Sequence, residues 1–403
     1  DSVQELQSKV AAGEAALDYL VDTVQAQIVA PDAGSVTGTE MSVGDQLAAY
    51  VAAGVTGVTA DNLLAVNAQL RLETTSENKD SVADIQAIIA KADAAIALIE
   101  EYNRGDGSTL LANTATTLTV PDYRAAGIQG VDVNNLTAVK RITLAASDGE
   151  ADTVGKIQAL VNTGIQTQLD ALAKIAAFAD TLATSVETVA GDETNSETLT
   201  LTVPQLTANA GYTLKVGTVI LETGALYGDP SVAEFITALQ SDGAYTLAPF
   251  TVAVHETNAN DIVIEFKNVG ERTVVAELRS AMPTIVDYEN SGATGADAAN
   301  LDAINDGLMA RTGTQADSTT EVQSLLNAAQ TVYAANLDKV LDYAEGTNTV
   351  KPSVRTYKLA GLTAVMEASL SAVNKIVEAQ DSSTIDDFAT AATYVNNGVQ
   401  AYE

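Results

Sequence analysis

The sequence predicts a mainly α fold: tandem three-helix modules with one inserted α+β, β-rich module. Three observations predict it. A Tyr…Gly…Leu pattern recurs four times at fixed spacing, helical apolar periodicity follows each recurrence, and residues 192–281 depart from both. The 403 residues are 46% hydrophobic but only 4% aromatic and contain no Trp, so the cores must be built from Ala, Val, Leu and Ile, which suits thin helical bundles.

The chain opens on Ser2-Val3-Gln4-Glu5-Leu6-Gln7-Ser8. This run parallels Ser81-Val82-Ala83-Asp84-Ile85-Gln86-Ala87, and both carry the capping-box spacing of a hydroxyl and an acid. Residues 1–29 are therefore read as the terminal helix of an incomplete helical unit. Its apolar stripe (Val3, Leu6, Val10, Ala16, Leu17, Leu20, Val21, Val24, Ile28) requires burial, either on the first complete unit or on a neighbouring subunit. No signal peptide precedes Asp1, so the chain is read as mature or cut from something longer.

Four units follow the same plan, at 30–107, 108–191, 282–349 and 350–403. Each has a Tyr four residues before a Gly: Tyr50 and Gly54, Tyr123 and Gly127, Tyr288 and Gly292, Tyr357 and Gly361. The Gly marks the end of a short helix, where a left-handed residue closes the last turn. Thr59, Asp132 and Asp297 then stand as N-caps of a second helix. Met366 occupies that place in the fourth copy, so its cap is expected to shift by a residue. The second helices carry Leu63/Val66, Leu136/Val139, Leu301/Ile304 and Leu370/Val373, three apart and hence on one face. A long third helix follows, opened by the capping boxes Ser81…Asp84, Ser318…Glu321 and Ser383…Asp386.

The recurrence also measures the insertion. Tyr50 and Tyr123 are 73 residues apart and Tyr288 and Tyr357 are 69 apart, but Tyr123 and Tyr288 are 165 apart. The excess matches residues 192–281, where strand-like runs cover 198–203, 212–216, 218–221, 249–256, 261–267 and 273–278. Asp229-Pro230-Ser231 opens a helix with Pro in its first turn and Val232, Phe235, Ile236 and Leu239 on one face. One sheet with one helix packed on it is the expectation. Thr116–Val120 reads as an extended linker.

Residues 357–395 resemble the GA module of bacterial surface proteins, through Ala360-Gly361-Leu362, Ala372-Val373-Asn374-Lys375-Ile376 and Ser383-Thr384-Ile385-Asp386-Asp387-Phe388. The Ala-Gly-Val/Ile-x-Gly-Val form with its Asn-Leu-x-Ala-Val helix is similar to repeat regions of very large secreted adhesins of marine Gram-negative bacteria. Asp229-Pro230-Ser231-Val232-Ala233-Glu234-Phe235 and Ala248-Pro249-Phe250-Thr251-Val252 are similar to modules of the same proteins. The resemblance implies an extracellular location on the bacterial cell surface and a structural or adhesive role as spacer and contact surface. A self-assembling subunit of a surface layer or filament is the alternative, and a glycan- or peptide-binding module the second. Albumin binding, known for some GA modules, is not carried over, because the shared residues are those that fold the bundle.

The chemistry expected is sparse. With 53 acids against 20 bases, the net charge of −33 disfavours nucleic acid and anionic membranes as partners. No apolar run reaches the ~18–20 residues of a membrane span, so no membrane insertion is expected. Partners would be neighbouring modules, a second copy, or a cell-surface or matrix ligand. Cys is absent, which removes disulfides, thiolate metal sites and Cys nucleophiles. The single His255 lies in an expected strand with neither a second His nor a Gly-x-Ser-x-Gly elbow. No catalytic residue, cofactor or enzyme activity is expected. Asp192-Glu193, Asp229 and Asp261 lie near turns or strand ends. They are read as turn and cap residues in preference to calcium ligands, because no twelve-residue acidic loop surrounds them.

Overall fold

A computed structural model describes residues 3–19, 41–104, 118–189, 198–217, 219–227, 230–242, 244–245, 248, 250–266, 272–366, 368–380, 385 and 387–402. The fold is mixed: about 55% helical, with 14 α-helices and seven strands in two small sheets among the described residues. The chain divides into two compact units, 1–168 and 169–403.

The first unit contains α1 (Val3–Asp18), α2 (Val43–Ala52), α3 (Leu63–Leu72), α4 (Val82–Asn103), α5 (Val120–Ala125), α6 (Leu136–Ala145) and the start of α7 (Val154–Ala179). Each short helix ends as the sequence predicts. Gly54 and Gly127 have φ of 76° and 75°. The residue after each Gly returns its N–H to the Tyr carbonyl, Val55 to Tyr50 and Ile128 to Tyr123, both at 2.9 Å, while the Gly N–H reaches Val51 or Arg124 at 3.0 Å. This paired closure satisfies carbonyls that the helix end would otherwise leave open.

Asp132 caps as expected, its Oδ1 accepting from the N–H groups of Asn134 and Asn135. Thr59 does not. Its own N–H donates to Asn62 Oδ1 at 2.8 Å, and Asn62 Nδ2 donates back to the Gly57 carbonyl at 3.0 Å. Asn135 ties Asp132 to Gly130 in the same way. The Asn preceding each second helix therefore fastens the turn.

The core of this unit is continuous. Ile85, Ile88 and Ile89 of α4 are buried with Tyr50, Leu63 and Val66, while Ile99 and Tyr102 of the same helix belong with Tyr123 and Val139. Ser81 caps α4, accepting from the Asp84 N–H as the box requires. At the other end Asn103 Nδ2 donates to the carbonyls of Thr143 and Ala146, both at 2.9 Å, closing the C-terminus of α6. One long helix thus serves two successive sets of short helices.

Val120 is the first residue of α5 rather than part of an extended linker. Thr119 and Asp122 form a capping box there, and Pro121 sits where its missing N–H costs nothing. Residues 116–117 lie outside the described residues.

The second unit holds the rest of α7, then β1 (Ala183–Val189), β2 (Thr198–Thr202), β3 (Tyr212–Val216), β4 (Val219–Glu222), α8 (Val232–Gln240), β5 (Phe250–Val254), β6 (Asp261–Phe266) and β7 (Arg272–Ser280). These form two antiparallel sheets, β1-β7-β3-β4 and β2-β6-β5, rather than one. Period-two alternation points Leu199 and Leu201, Ile262 and Ile264, and Val274, Ala276 and Leu278 into one shared core with Phe235, Ile236 and Leu239 of α8. The strands begin at Ala183, inside the stretch read as the second helical unit, because Ala183–Val189 pairs along β7. Ser231 caps α8 through a box with Glu234, so Pro230 precedes the cap instead of entering the first turn.

Helices α9 (Ile285–Asn290), α10 (Leu301–Met309), α11 (Thr319–Ala344), α12 (Val354–Leu359), α13 (Leu370–Glu378) and α14 (Phe388–Gln400) complete this unit. Asp297 caps through the N–H groups of Ala299 and Asn300. In the fourth copy Met366 offers no capping oxygen, and the hydroxyl of Ser369 accepts from the Met366 N–H as Asn135 accepts from Asp132, so α13 has no side-chain cap rather than one shifted by a residue. Capping of α11 by Ser318 with Glu321 matches the expected box, whereas Ser383 and Asp386 lie outside the described residues and α14 is capped by Asp387 with Thr390. Like α4, α11 serves two cores: Val322, Leu325 and Leu326 pack with Tyr288 and Ile304, and Val340, Tyr343 and Ala344 with Tyr357 and Val373.

Arg279 of β7 fastens sheet to helices. Buried to 3% exposure, it donates to the carbonyls of Phe178 and Ala179 at the end of α7 and of Met309 at the end of α10, and pairs with Glu277 at 3.1 Å. A cation placed on two helix C-termini meets both open carbonyls and the negative ends of the helix dipoles.

Candidate functional site

Two features distinguish themselves from ordinary packing. The first is a buried polar node at three of the four short helices. Tyr50 Oη donates to Asn67 Oδ1 at 2.7 Å, Tyr288 Oη to Asn305 Oδ1 at 2.6 Å, and Tyr357 Oη to Asn374 Oδ1 at 2.8 Å. Each of these Asn residues directly follows the Leu-x-x-Val/Ile pair, so the signal is present in the sequence beside the apolar step. Each amide also donates onward, Asn305 to the Pro283 carbonyl, Asn374 to the Pro352 carbonyl and Asn67 to Gln46 Oε1. The node ties the second helix to the residues that start the first, which fixes the angle between them. Burial pushes all four tyrosine hydroxyls well above their ordinary range.

The second feature is a cleft of about 720 Å³ in the second unit. Its apolar lining includes Ile220 of β4, Met282, Met309, Leu359 and Met366, and its charged lining is Lys215 of β3, Glu222 at the end of β4, Asp242 after α8, Asp302 and Asp306 of α10, and Arg355 and Lys358 of α12. Arg355 is committed to Asp306 at 2.8 Å, and the Glu222 N–H donates to Asp242 Oδ2 at 2.6 Å. Burial raises the Glu222 carboxyl, and the neighbouring Asp242 and Asp302 add to the effect. Burial likewise raises Asp302; Lys358 opposes the shift and Asp306 adds to it. With Lys215 near Glu277 and Arg355 paired to Asp306, the crowded carboxylates of Glu222, Asp242 and Asp302 beside three methionines favour a ligand that brings positive charge on an apolar body.

The comparisons with known proteins add no relative: no family model, no curated protein and no solved structure matches the chain.

The residues singled out in the sequence do not meet there. His255 is the first residue after β5, not within it. Its N–H donates to the Asp261 carbonyl at 2.9 Å, and its Nδ1 lies 3.3 Å from the Thr257 N–H. Asp261 begins β6 and accepts from Asn258 Nδ2 at 2.7 Å, as a turn residue does. Asp192, Glu193 and Asp229 lie outside the described residues. No group of three His, Cys, Asp or Glu suited to a metal occurs among the described residues, and no helix there is long and apolar enough to cross a membrane.

Sequence reasoning passed over the cleft. Asp302 and Asp306 are four apart on α10, and Arg355 and Lys358 three apart on α12, so each pair shares a helix face. Their meeting with Glu222 is a tertiary fact that helical spacing does not contain.

Proposed function

We propose that this chain is a structural and adhesive segment of an extracellular bacterial surface protein. In this reading it is a row of three-helix modules that sets length and spacing, interrupted by one α+β module, and it is not an enzyme. The observation that carries the reading is the repeated node: three Tyr–Asn hydrogen bonds across the same separation in sequence, each beside a Gly that closes a short helix. Building one helix angle repeatedly serves an array, in which each unit buries its neighbour's apolar face. The absence of Cys and the acidic surface suit export and solubility outside the cell.

The test is mechanical. Pulled between its ends, the chain should give several separate unfolding steps, one of them releasing the roughly 300 Å that about 90 extended residues span. A single step releasing the whole chain would sink the modular reading. Beads coated with the chain should be retained on cell-surface or matrix material under flow, and retention no better than that of bare beads would remove the adhesive half.

The cleft favours a second reading, that the segment includes a peptide-binding site. Basic peptides with an apolar flank should be retained by the chain and released by the Asp302→Asn variant. Equal retention by both proteins would count against it.

A further inference from the structure

Each sheet of the α+β module has edge strands, β1 and β4 in one and β2 and β5 in the other. An edge strand turns a row of N–H and C=O groups away from its sheet, and another strand can pair with them. The hydrogen bonds fix which groups of β5 face outward. His255 N–H donates to the Asp261 carbonyl at 2.9 Å, so by alternation Thr251 and Ala253 face β6, and Phe250, Val252 and Val254 face out. The strand reads Phe-Thr-Val-Ala-Val. It is uncharged and rich in aromatic and β-branched residues, a composition that pairs readily with a strand of its own kind.

The outward groups of Val252 are nonetheless filled, by side chains rather than by a strand. Its N–H donates to Tyr245 Oη and its carbonyl accepts from Gln240 Nε2, both at 3.1 Å. The same stretch meets the edge of the other sheet. Thr223 N–H donates back to Tyr212 of β3, so the Glu222 N–H on β4 faces out, and Asp242 Oδ2 accepts from it at 2.6 Å. Asp242 also holds the turn after α8: its Oδ1 accepts from the Ala244 N–H at 2.8 Å and its carbonyl from the Tyr245 N–H at 3.0 Å. Side chains from residues 240–245 thus occupy edge groups of both sheets.

We propose that residues 240–245 are a guard over these edges, and that without it two copies of the chain join through β5, antiparallel and centred on Val252. The register follows from the groups that face out. Val252 of each copy exchanges both hydrogen bonds with its counterpart, and Phe250 does so with Val254, so a two-fold rotation maps the contact onto itself. A second copy is the occupant because this pairing is self-complementary and β5 brings no charge to it. In the intact chain the tethered side chains are present at a local concentration that a free copy does not reach, and the edge stays shut.

The test uses the full chain in about 0.15 M salt, where repulsion between exposed charges is screened beyond about 8 Å. Gln240→Ala with Tyr245→Phe removes both partners of Val252 and keeps the ring that packs against the sheet core. Sedimentation velocity should show the double variant self-associating at least tenfold more strongly than the parent. Amide exchange at Val252 should quicken at least tenfold in the dilute double variant and slow again as it dimerises. Val254→Pro removes an outward N–H that β6 does not use. Added to the double variant, it should return association to the parent's level with the fold kept. A double variant no more associated than the parent, or one whose association persists with Val254→Pro, overturns the proposal. So does a parent whose own dimerisation is abolished by Val254→Pro, because the edge is then not shut. If circular dichroism shows the double variant unfolded, Tyr245→Phe alone carries the test. That variant loses one oxygen, and a folded form that neither associates nor exchanges Val252 faster overturns the proposal.

Discussion

The segments around Tyr50 and Tyr123 share a spacing and a turn, yet they are held differently. Tyr50 donates to Asn67 at 2.7 Å, whereas at the matching place the second segment has Lys140, and Tyr123 finds only Thr143 Oγ1 at 3.4 Å. Gly54 faces open space, whereas a Cβ on Gly127 would meet the backbone of Leu64 at 2.5 Å. The local turn is therefore a property of the short helix, but its surroundings are not. The first segment is held by its polar node, and the second by close seating on α3. The difference shows how one chain reversal can be anchored by either a hydrogen bond or a backbone contact.

High pH should have the largest effect, and it should strike both segments alike. Burial raises Tyr50 and Tyr123 regardless of their partners. Below pH ~10 both are protonated in the folded and unfolded chain, and nothing is lost. Above it the unfolded chain releases protons that the folded one keeps, so stability falls as pH rises, by up to about 1.4 kcal/mol per unit for each buried tyrosine. Urea unfolding at pH 9, 10 and 11 should show a midpoint that changes little from 9 to 10 and falls clearly from 10 to 11. Constant midpoints would mean that the hydroxyls are not sequestered.

Replacement of the glycines should separate the segments. Gly54→Ala meets only the left-handed φ of 76° and should cost about 1 kcal/mol. Gly127→Ala meets the same φ and the Leu64 backbone, so about 3 kcal/mol or more is expected, as for other overpacked and strained sites. Equal losses in chemical denaturation would show that the seating of Gly127 on α3 carries no weight.

These contrasts also mark what could be read from the sequence. The Tyr…Gly and Leu…Val spacings located the short helices, because a left-handed Gly and a three-residue apolar step are local requirements. The Asn after three of the four apolar pairs was equally visible, but its role depends on a Tyr 17 residues earlier approaching across a turn. Alternation located six strands. It did not separate two sheets, since residues facing one core look the same whichever sheet they occupy, and it missed β1, whose Ala-Thr-Ser-Val-Glu run has little apolar content. The cleft was least legible, because Glu222, Asp302 and Lys358 come from three elements whose faces sequence does not bring together.

The smallest expected effect is the most discriminating. If the polar node is transferable, Lys140→Asn should give Tyr123 the partner that Tyr50, Tyr288 and Tyr357 already have. The exchange has a cost, because Lys140 Nζ lies 5.6 Å from the Tyr102 ring centre, an exposed-site attraction of about 0.5–1 kcal/mol. A well-formed buried hydrogen bond contributes about 0.5–1.5 kcal/mol, so the single variant should lie within about 1 kcal/mol of the parent. The pairing is isolated by removing the competing acceptor. Thr143→Val alone leaves the Tyr123 hydroxyl buried without a partner, at a cost of about 1–3 kcal/mol. With Lys140→Asn added, most of that loss should return, giving a coupling of about 1 kcal/mol in the double-mutant cycle. Two variants that simply add would show that Asn at this position cannot reach Tyr123, and that α6 packs at an angle different from α3.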